Sequence, residues 1–213
     1  TRCSRDWSSD VCSSDLKKEA LEKASSLKYL CVAFTGVDHV DIGFCKEKGI
    51  AVSNCAGYST ESVAELTISM ILSLYRKLAE GDKATRNGGT NAGLRGIEIK
   101  DRTVGIIGTG AIGSRVAELA KAFGAQVIGY NRSHKNPDIQ YTDLDTLLKT
   151  ADIVTVHLPL SDETRHILDG EKLSLMKKTA VLINTARGGV IDNKALADCL
   201  TKGTIAGAGI DVF

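Results

Sequence analysis

The chain has 213 residues, of which 43% are hydrophobic and 25% are charged, a composition typical of a folded globular protein with a sizeable core. The net charge of +1 offers no basic field for nucleic acid, and the Lys and Arg residues are scattered. No apolar run approaches the roughly 18 residues of a membrane span, and no charged-then-apolar leader opens the chain. Composition therefore predicts a cytoplasmic protein that binds neither nucleic acid nor membrane.

The six cysteines show no CxxC pair and no spacing to histidine that is typical of a metal site. They are Cys3, Cys12, Cys31, Cys45, Cys55 and Cys199. We therefore expect buried, reduced thiols and no metal.

Residues 1–16 differ in composition from everything that follows, being rich in Ser and Asp with few aliphatic residues. The stretch "DWSSDVCSSDL" resembles the translated reading frame of a common sequencing-library adapter, which predicts a non-native tail. A disordered polar tail is the alternative. The first interpretation implies that the gene was cut at its 5′ side.

From Lys17 onwards the pattern predicts alternating strands and helices. Strands are expected at Tyr29–Phe34 and Ile50–Ser53, with a helix from Asp41 to Lys48 between them. A long apolar helix follows over Ser62–Leu78, and its wide apolar arc predicts packing between domains or subunits. The Gly- and Asn-rich stretch Arg86–Gly96 is then expected to be a linker, so we place the domain boundary between residues 93 and 94.

The stretch "TVGIIGTGAIGSRVAELAKAFG", Thr103–Gly124, predicts a strand, a glycine-rich turn and an amphipathic helix. Gly108, Gly110 and Gly113 fall at GxGxxG spacing, which suits a tight turn, close approach to a pyrophosphate and close packing of helix on strand. The helix side facing the sheet is expected to include Ile112 and Phe123. The stretch therefore predicts a dinucleotide site, with a merely tight strand-to-helix turn as the alternative.

The rest of the chain continues the alternation and predicts a parallel, doubly wound α/β sheet. Further strands are expected at Gln126–Tyr130, Asp152–Leu158, Ala180–Asn184 and Ile205–Ile210, and helices at Leu144–Leu148, Gly170–Met176 and Asn193–Lys202.

Asn131, Arg132 and Ser133 occupy the position, roughly 20 residues past the last glycine, where such a fold presents an acidic residue to the adenosine ribose. No carboxylate repels a 2′-phosphate there, and Arg132 can donate to one, so the cofactor is predicted to be NAD(P) with a leaning towards NADP. A solvated turn arginine is the alternative.

Arg187 stands in "VLINTARGGVID", just past the end of a buried strand and before two glycines. Residues beyond strand carboxyl ends line the ligand crevice of an open parallel sheet. A guanidinium there can bind a carboxylate with two hydrogen bonds and polarise a neighbouring carbonyl. We therefore predict a catalytic role for Arg187, with a surface salt-bridge arginine as the alternative.

Over Leu27–Phe213 the chain resembles the D-2-hydroxyacid dehydrogenases, through "FTGVDHVD", "NCAGYSTESVAE", "VGIIGTGAIG", "VHLPL", "NTARGGVID" and "AGAGIDVF". The resemblance implies a partial, smaller flavodoxin-like α/β substrate domain over residues 17–93 and a Rossmann NAD(P)-binding domain over residues 94–213. It implies hydride transfer between NAD(P)H and a small 2-keto or 2-hydroxy acid, and the apolar helix makes a homodimer our expectation.

The same resemblance assigns roles to individual residues. It implies that Arg187 is the catalytic arginine and that the turn Thr35, Gly36 and Val37 binds the substrate carboxylate. The residues implied to bind the cofactor are Gly108, Gly110, Ala111, Ile112, Gly113, Asn131, Arg132, Ser133, His157, Leu158, Pro159, Thr164, Thr185, Ala186, Arg187 and Asp211.

His157 is expected to be a packed or cofactor-side residue, since the family pattern places its general acid, a histidine oriented by a glutamate, beyond the "DVF" motif. His39, His134 and His166 have weaker claims. The chain ends at Phe213, so the resemblance implies a fragment cut at its 3′ side. Without a positioned acid, a loss of about 10²- to 10⁴-fold is typical, and we expect no useful turnover from these 213 residues.

Two alternative functions remain open at this point. One is a nucleotide-sensing, corepressor-like interaction protein on the same fold. An intact Glu and His pair beyond the "DVF" motif in the full gene would favour the enzyme, and replacement of that pair would favour the sensor. The other is a relative acting on formate or phosphite, which would keep the cofactor lobe and change the substrate loops.

Overall fold

The chain forms two compact units that divide between Ser59 and Thr60. The computed structural model describes residues 15–133 and 136–212. The division lies well before the boundary predicted between residues 93 and 94, because the long helix that follows Ser59 packs on the larger sheet. The last residue of the predicted tail, Leu16, forms a parallel bridge with Val40. Residues 1–14 of that tail lie outside the described residues.

The first unit is a single βαβ unit with a short helix before it. Its elements in chain order are α1 (Lys18–Leu21), β1 (Tyr29–Val32), α2 (Ile42–Glu47) and β2 (Ala51–Asn54). The two strands are parallel, with Tyr29 opposite Ala51. Asp41 begins α2 by accepting a hydrogen bond from the Phe44 N–H, as an N-cap residue does. Both strands lie within two residues of their predicted bounds.

The expectation of buried thiols is wrong for two cysteines of this unit. Cys31 and Cys55 are exposed, whereas Cys45 and Cys199 are buried. Cys31 follows the period of two along β1, in which its side chain points away from the face that carries buried Val32. Cys3 and Cys12 lie outside the described residues.

The second unit contains a six-stranded parallel sheet. Its strands are β3 (Thr103–Ile107), β4 (Gln126–Tyr130), β5 (Gln140–Tyr141), β6 (Ile153–Val156), β7 (Val181–Asn184) and β8 (Gly207–Ile210). They lie in the order β5-β4-β3-β6-β7-β8, and every neighbouring pair is parallel. This is the strand order of the doubly wound dinucleotide-binding fold, and it confirms the predicted fold class.

Helices cover both faces of this sheet. The second unit contains α3 (Thr60–Arg76), α4 (Leu78–Arg86), α5 (Ala111–Ala122), α6 (Leu144–Thr150), α7 (Gly170–Ser174) and α8 (Asn193–Lys202). Buried residues of α3 and α5 share one hydrophobic cluster with β3, β6 and β7. Those of α6, α7 and α8 share the cluster on the opposite face. Each face of the sheet therefore has a core of its own.

The apolar helix α3 buries its arc within this unit. Ile71 is fully buried against the sheet, and Met70 packs over β8 so closely that a Cβ at Gly209 would lie 3.2 Å from the Met70 Cβ. The helix ends earlier than predicted, because Lys77 adopts a left-handed conformation with φ 52° and a new helix begins at Leu78. Leu78, expected on the apolar arc, is consequently 57% exposed.

Phe123 is a second residue that the periodicity misplaces. It was expected on the packed face of α5, but it follows the last helical residue and is 45% exposed. The helix terminates at Ala122, and Gly124 turns the chain with φ 81°, as a glycine just past a helix often does.

Asp152 joins three elements at the amino end of the sheet. Its Oδ2 accepts a hydrogen bond from the Thr103 N–H at 3.0 Å, and its Oδ1 accepts one from Lys177 Nζ at 2.9 Å. The Tyr75 hydroxyl of α3 contacts the Asp152 carbonyl oxygen at 3.4 Å. Burial alone would raise the pKa of Asp152, but the Thr103 and Lys177 hydrogen bonds outweigh it and the pKa is lowered.

We expect Asp152→Asn to lower the free energy of unfolding at pH 7 by about 1–2 kcal/mol, through the lost charge-assisted bonds. Because the folded-state pKa lies below the unfolded one, charged Asp152 stabilises the fold at neutral pH, and this contribution disappears as the pH falls below about 4. Urea unfolding at pH 7 and pH 3 measures the loss of unfolding free energy at neutral pH and its disappearance at low pH. Asp198→Asn, which removes an exposed carboxylate of α8, is the control. An equal loss at both pH values would contradict the role of the charge.

Candidate functional site

The site begins at the turn between β3 and α5, which three glycines shape. Gly108 has φ 94°, and a Cβ there would lie 2.8 Å from the carbonyl oxygen of His157. A Cβ on Gly113 would overlap the carbonyl oxygen of Gly108. The first turn of α5 is therefore pressed directly onto the end of β3, and the turn adjoins the chain that follows β6.

Gly110 differs from its two neighbours because protein packing does not require a glycine there. It has φ −72°, and a Cβ at this position meets no heavy atom within 4 Å. Gly110 precedes α5, and among the described residues no side chain caps this helix end. The first N–H groups of a helix, here those of Ala111, Ile112 and Gly113, lack intrahelical acceptors, and the helix dipole favours an anion at this end. The open approach suits a pyrophosphate group.

The sheet places this turn at its topological switch point. The chain runs from β3 outwards through β4 to β5, then returns to β6 on the other side of β3. In such sheets the ligand crevice lies at the carboxyl ends of the strands on either side of the switch. The segments that follow β3, β4, β6, β7 and β8 contain the predicted cofactor residues.

A polar network organises the chain after β4. Asn131 donates through Nδ2 to Thr109 Oγ1 and to the Ser133 carbonyl oxygen, both at 3.1 Å. The Thr109 hydroxyl in turn bonds to the Tyr141 hydroxyl at 2.9 Å. Asn131 and Ser133 were predicted from the sequence, whereas Thr109 and Tyr141 were not. Thr109 could have been found from the sequence, because it stands between the first two glycines of the turn. Tyr141 could not, because it lies on the two-residue strand β5, which no sequence pattern predicted.

Arg132 carries the charge of this segment. Its Nη1 pairs with Glu163 Oε2 at 2.5 Å, and both side chains are largely exposed. His134, one of the histidines with a weaker claim, and Lys135 follow this segment and lie outside the described residues.

The segment after β6 is held by its own hydrogen bonds. The Thr164 hydroxyl donates to the Pro159 carbonyl oxygen at 2.7 Å and accepts from the Ser161 N–H at 2.8 Å. His166 has φ 51°, and its N–H donates to the Gly189 carbonyl oxygen. This segment is thereby tied to the chain that follows β7.

His157 is the first residue past β6, and its Nε2 is buried without a hydrogen-bond partner among the described residues. Burial lowers the pKa of His157 to about 4, so the imidazole is neutral at neutral pH. Thr155 Oγ1, two residues earlier and hence on the same face of the strand, is likewise unpaired within the described part of the chain. Buried polar atoms without partners are uncommon in proteins. Thr155 is fully buried inside β6, whereas His157 lies past the strand end, so the His157 Nε2 fits a polar ligand group at the crevice.

The segment after β7, which contains Arg187, is held by hydrogen bonds of the buried Asn184 side chain and of Thr185. Asn184 Oδ1 accepts from the Ala186 N–H, and its Nδ2 donates to the Arg187 carbonyl oxygen, both at 3.0 Å. Thr185 Oγ1 lies 3.1 Å from Thr67 Oγ1 of α3. Asp211, after β8, donates its N–H to the Asn184 carbonyl oxygen at 3.0 Å. Asn184 and Thr67 therefore hold the segment that contains Thr185 and Arg187, and the sequence did not point to either residue.

The structure thus brings the predicted cofactor residues of the second unit to one edge of the sheet. The predicted substrate turn Thr35–Val37 lies in the first unit, where Asn54 Nδ2 donates to the Thr35 carbonyl oxygen at 2.6 Å. Within residues 15–133 and 136–212, no three His, Cys, Asp or Glu side chains form a group that could hold a metal ion. No helix in the same ranges is long and apolar enough to cross a membrane.

Comparison with known proteins decides the family. The model described as "D-isomer specific 2-hydroxyacid dehydrogenase, NAD binding domain" matches residues 68–213. The chain belongs to the D-isomer-specific 2-hydroxyacid dehydrogenase family. It is 40% identical over 206 residues to a glyoxylate reductase of Thermofilum pendens, covering 92% of this chain and 61% of that protein. A hydroxypyruvate reductase of Thermotoga maritima is 39% identical over 198 residues, with 92% and 65% covered.

Solved structures of the same dehydrogenase fold agree with this family assignment. The D-lactate dehydrogenase of Aquifex aeolicus, complexed with NAD and lactic acid, superposes with a TM-score of 0.89 at 40% identity, over 93% of this chain and 62% of that one. An acyclic imino acid reductase in complex with NADPH and D-Arg gives a TM-score of 0.89 at 42% identity, over 93% and 66%. The chain thus spans about three fifths of the length of these relatives.

The surroundings of Gly110 and Gly113 predict different defects for two alanine variants, a loss of cofactor binding in one and a loss of thermal stability in the other. We expect Gly110→Ala to melt within about 2 °C of the unsubstituted chain, since its φ suits alanine and nothing obstructs the Cβ, yet to weaken NADH binding at least about tenfold by obstructing the helix end. Gly113→Ala should lower the melting temperature by about 5 °C or more, because α5 must move off the turn. Thermal melts and NADH fluorescence titrations measure both. Unchanged NADH affinity in Gly110→Ala would contradict the placement of the pyrophosphate.

Proposed function

We propose that this chain binds a nicotinamide dinucleotide and takes part in hydride transfer between it and a small 2-keto or 2-hydroxy acid. The observation that carries the proposal is the position of Arg187. It follows β7 in a segment fixed by Asn184 and Thr185, at the same sheet edge as the glycine turn. An arginine so positioned can meet a substrate that lies against the reactive end of the cofactor.

We propose separate roles in binding the cofactor and the substrate for different segments of the chain. The first turn of α5 binds the pyrophosphate through its N–H groups. Arg187 binds the substrate carboxylate with two parallel hydrogen bonds and stabilises the negative charge that develops on the carbonyl oxygen. The turn Thr35–Val37 is proposed to bind the substrate carboxylate through backbone N–H groups. When bound, the nicotinamide supplies or accepts the hydride.

His157 is not proposed as the proton donor. With a pKa of about 4, its imidazole is uncharged at neutral pH, whereas protonation of a forming alkoxide needs an acid that still holds its proton there. We propose instead that His157 packs beside the cofactor and offers it a polar atom. Leu158, Pro159, Thr164, Thr185, Ala186 and Asp211 remain proposals for the lining of the same crevice.

The names of the relatives support a dehydrogenase in preference to the sensing alternative. Three of them are reductases of glyoxylate and hydroxypyruvate and a D-lactate dehydrogenase complexed with lactic acid, whereas the fourth is an imino acid reductase complexed with D-Arg. A two- or three-carbon 2-keto acid is therefore the substrate class that we propose. The homodimer stays a prediction, although the arc of α3 that suggested it is largely used inside the second unit.

The first test concerns Arg187 and needs no turnover. Oxamate, a mimic of a small 2-keto acid, should tighten NADH binding to the 213-residue chain, and Arg187→Gln should weaken oxamate binding to the NADH complex about 10- to 100-fold through loss of the charged hydrogen bonds. Calorimetry of oxamate binding measures this. Arg165→Gln, which removes an exposed arginine near Gly189, is the control. Equal losses of oxamate affinity in Arg187→Gln and Arg165→Gln would contradict the role proposed for Arg187.

The second test concerns the leaning towards NADP. We propose that Arg132 binds a 2′-phosphate, so NADPH should bind more tightly than NADH, and Arg132→Gln should remove most of that difference, a change of roughly tenfold or more. Fluorescence titration of both cofactors measures it. Arg86→Gln, which breaks an exposed ion pair with Asp82 in α4, is the control. A tenfold preference for NADH in the unsubstituted chain would overturn the NADP proposal.

A further inference from the structure

An ion pair joins two segments at the carboxyl edge of the sheet. Arg132 follows β4 and Glu163 lies in the segment after β6, and Arg132 Nη1 meets Glu163 Oε2 at 2.5 Å. These strands lie on opposite sides of β3. Two strand spacings amount to roughly 9–10 Å, so the side chains reach across the end of β3, where the glycine turn begins.

Both ends of this pair are mounted on fixed backbone. Asn131 holds the turn before Arg132 through Thr109 Oγ1 and the Ser133 carbonyl oxygen. The Thr164 hydroxyl, beside Glu163, holds its own segment through Pro159 and Ser161. The two charged groups, in contrast, are exposed, with 84% of the Arg132 side chain and 71% of the Glu163 side chain accessible. The pair can therefore open without disturbing the backbone at either end.

An exposed pair of this kind contributes little to stability, because water and salt screen it. A phosphate monoester and a carboxylate can both accept two parallel bonds from a guanidinium, but the phosphate carries more negative charge and is therefore the stronger partner. When a phosphate takes Arg132, however, the Glu163 carboxylate is left beside a second anion, and like charges at short range repel.

We propose that Glu163 sets the selectivity of this pocket for the 2′ group of the adenosine ribose. When the ribose bears a 2′-hydroxyl, Glu163 holds Arg132. When the ribose bears a 2′-phosphate, Glu163 competes with that phosphate for Arg132. Glu163 therefore moderates the preference for NADPH that Arg132 alone would give. The inference rests on the proposed function, because it needs a dinucleotide in the crevice.

Glu163→Gln tests the inference, since glutamine keeps the size of the side chain and removes its charge. We expect the Kd of NADPH to fall roughly three- to tenfold at low ionic strength and the Kd of NADH to change less than about twofold. The gain should shrink as salt is raised to about 0.5 M. It should also vanish in the Arg132→Gln background, because Glu163 acts through Arg132.

Asp162→Asn is the matched control. Asp162 is exposed on the same segment and forms no ion pair within the described residues, so its substitution removes the same charge one residue away. We expect it to change the Kd of NADPH less than twofold. Equal gains from Asp162→Asn and Glu163→Gln, or equal effects of Glu163→Gln on both cofactors, would overturn the inference and leave the proposed function standing. If the unsubstituted chain binds neither cofactor, the proposed function itself fails, and the inference with it.

Discussion

The contact between Gly113 and the carbonyl oxygen of Gly108 is the constraint on which the rest of the site depends. Because no Cβ separates them, the first turn of α5 lies directly against the end of β3. The same closeness directs the unpaired N–H groups of the helix towards the crevice at the switch point of the sheet. Gly108 adds a second close approach, to the chain after β6, so three segments converge where a pyrophosphate would bind.

The parts of the fold with strong local patterns were predictable from the sequence. The β3 strand and the α5 helix were confirmed within a residue or two, because an apolar strand, spaced glycines and a helical period agree over 22 residues. Strand β5 was missed because two residues carry no periodicity. The break at Lys77 was missed because the apolar pattern runs through it, and the left-handed conformation of one lysine has no sequence signal.

The site shows the same division between local and distant information. Residues directly past strand ends, such as Arg187 and Asn131, could be chosen from the sequence because the fold class fixes where strands end. The residues that hold these side chains in place could not be chosen from the sequence. Thr67 bonds to Thr185 across 118 positions of the chain, and Glu163 lies 31 positions from Arg132. Only the packing of α3 and the order of the strands bring such pairs together.

We propose that the carboxyl edge of the six-stranded sheet, with the amino end of α5 at its centre, binds the dinucleotide. Nitrogen–proton NMR spectra of the 213-residue chain during titration with NADPH test it most directly. We expect the largest shifts on the N–H groups of Gly110 to Gly113, with further shifts at Asn131 to Ser133 and Thr185 to Arg187. Shifts confined to other residues, with those of the α5 amino end unchanged at saturation, would contradict it.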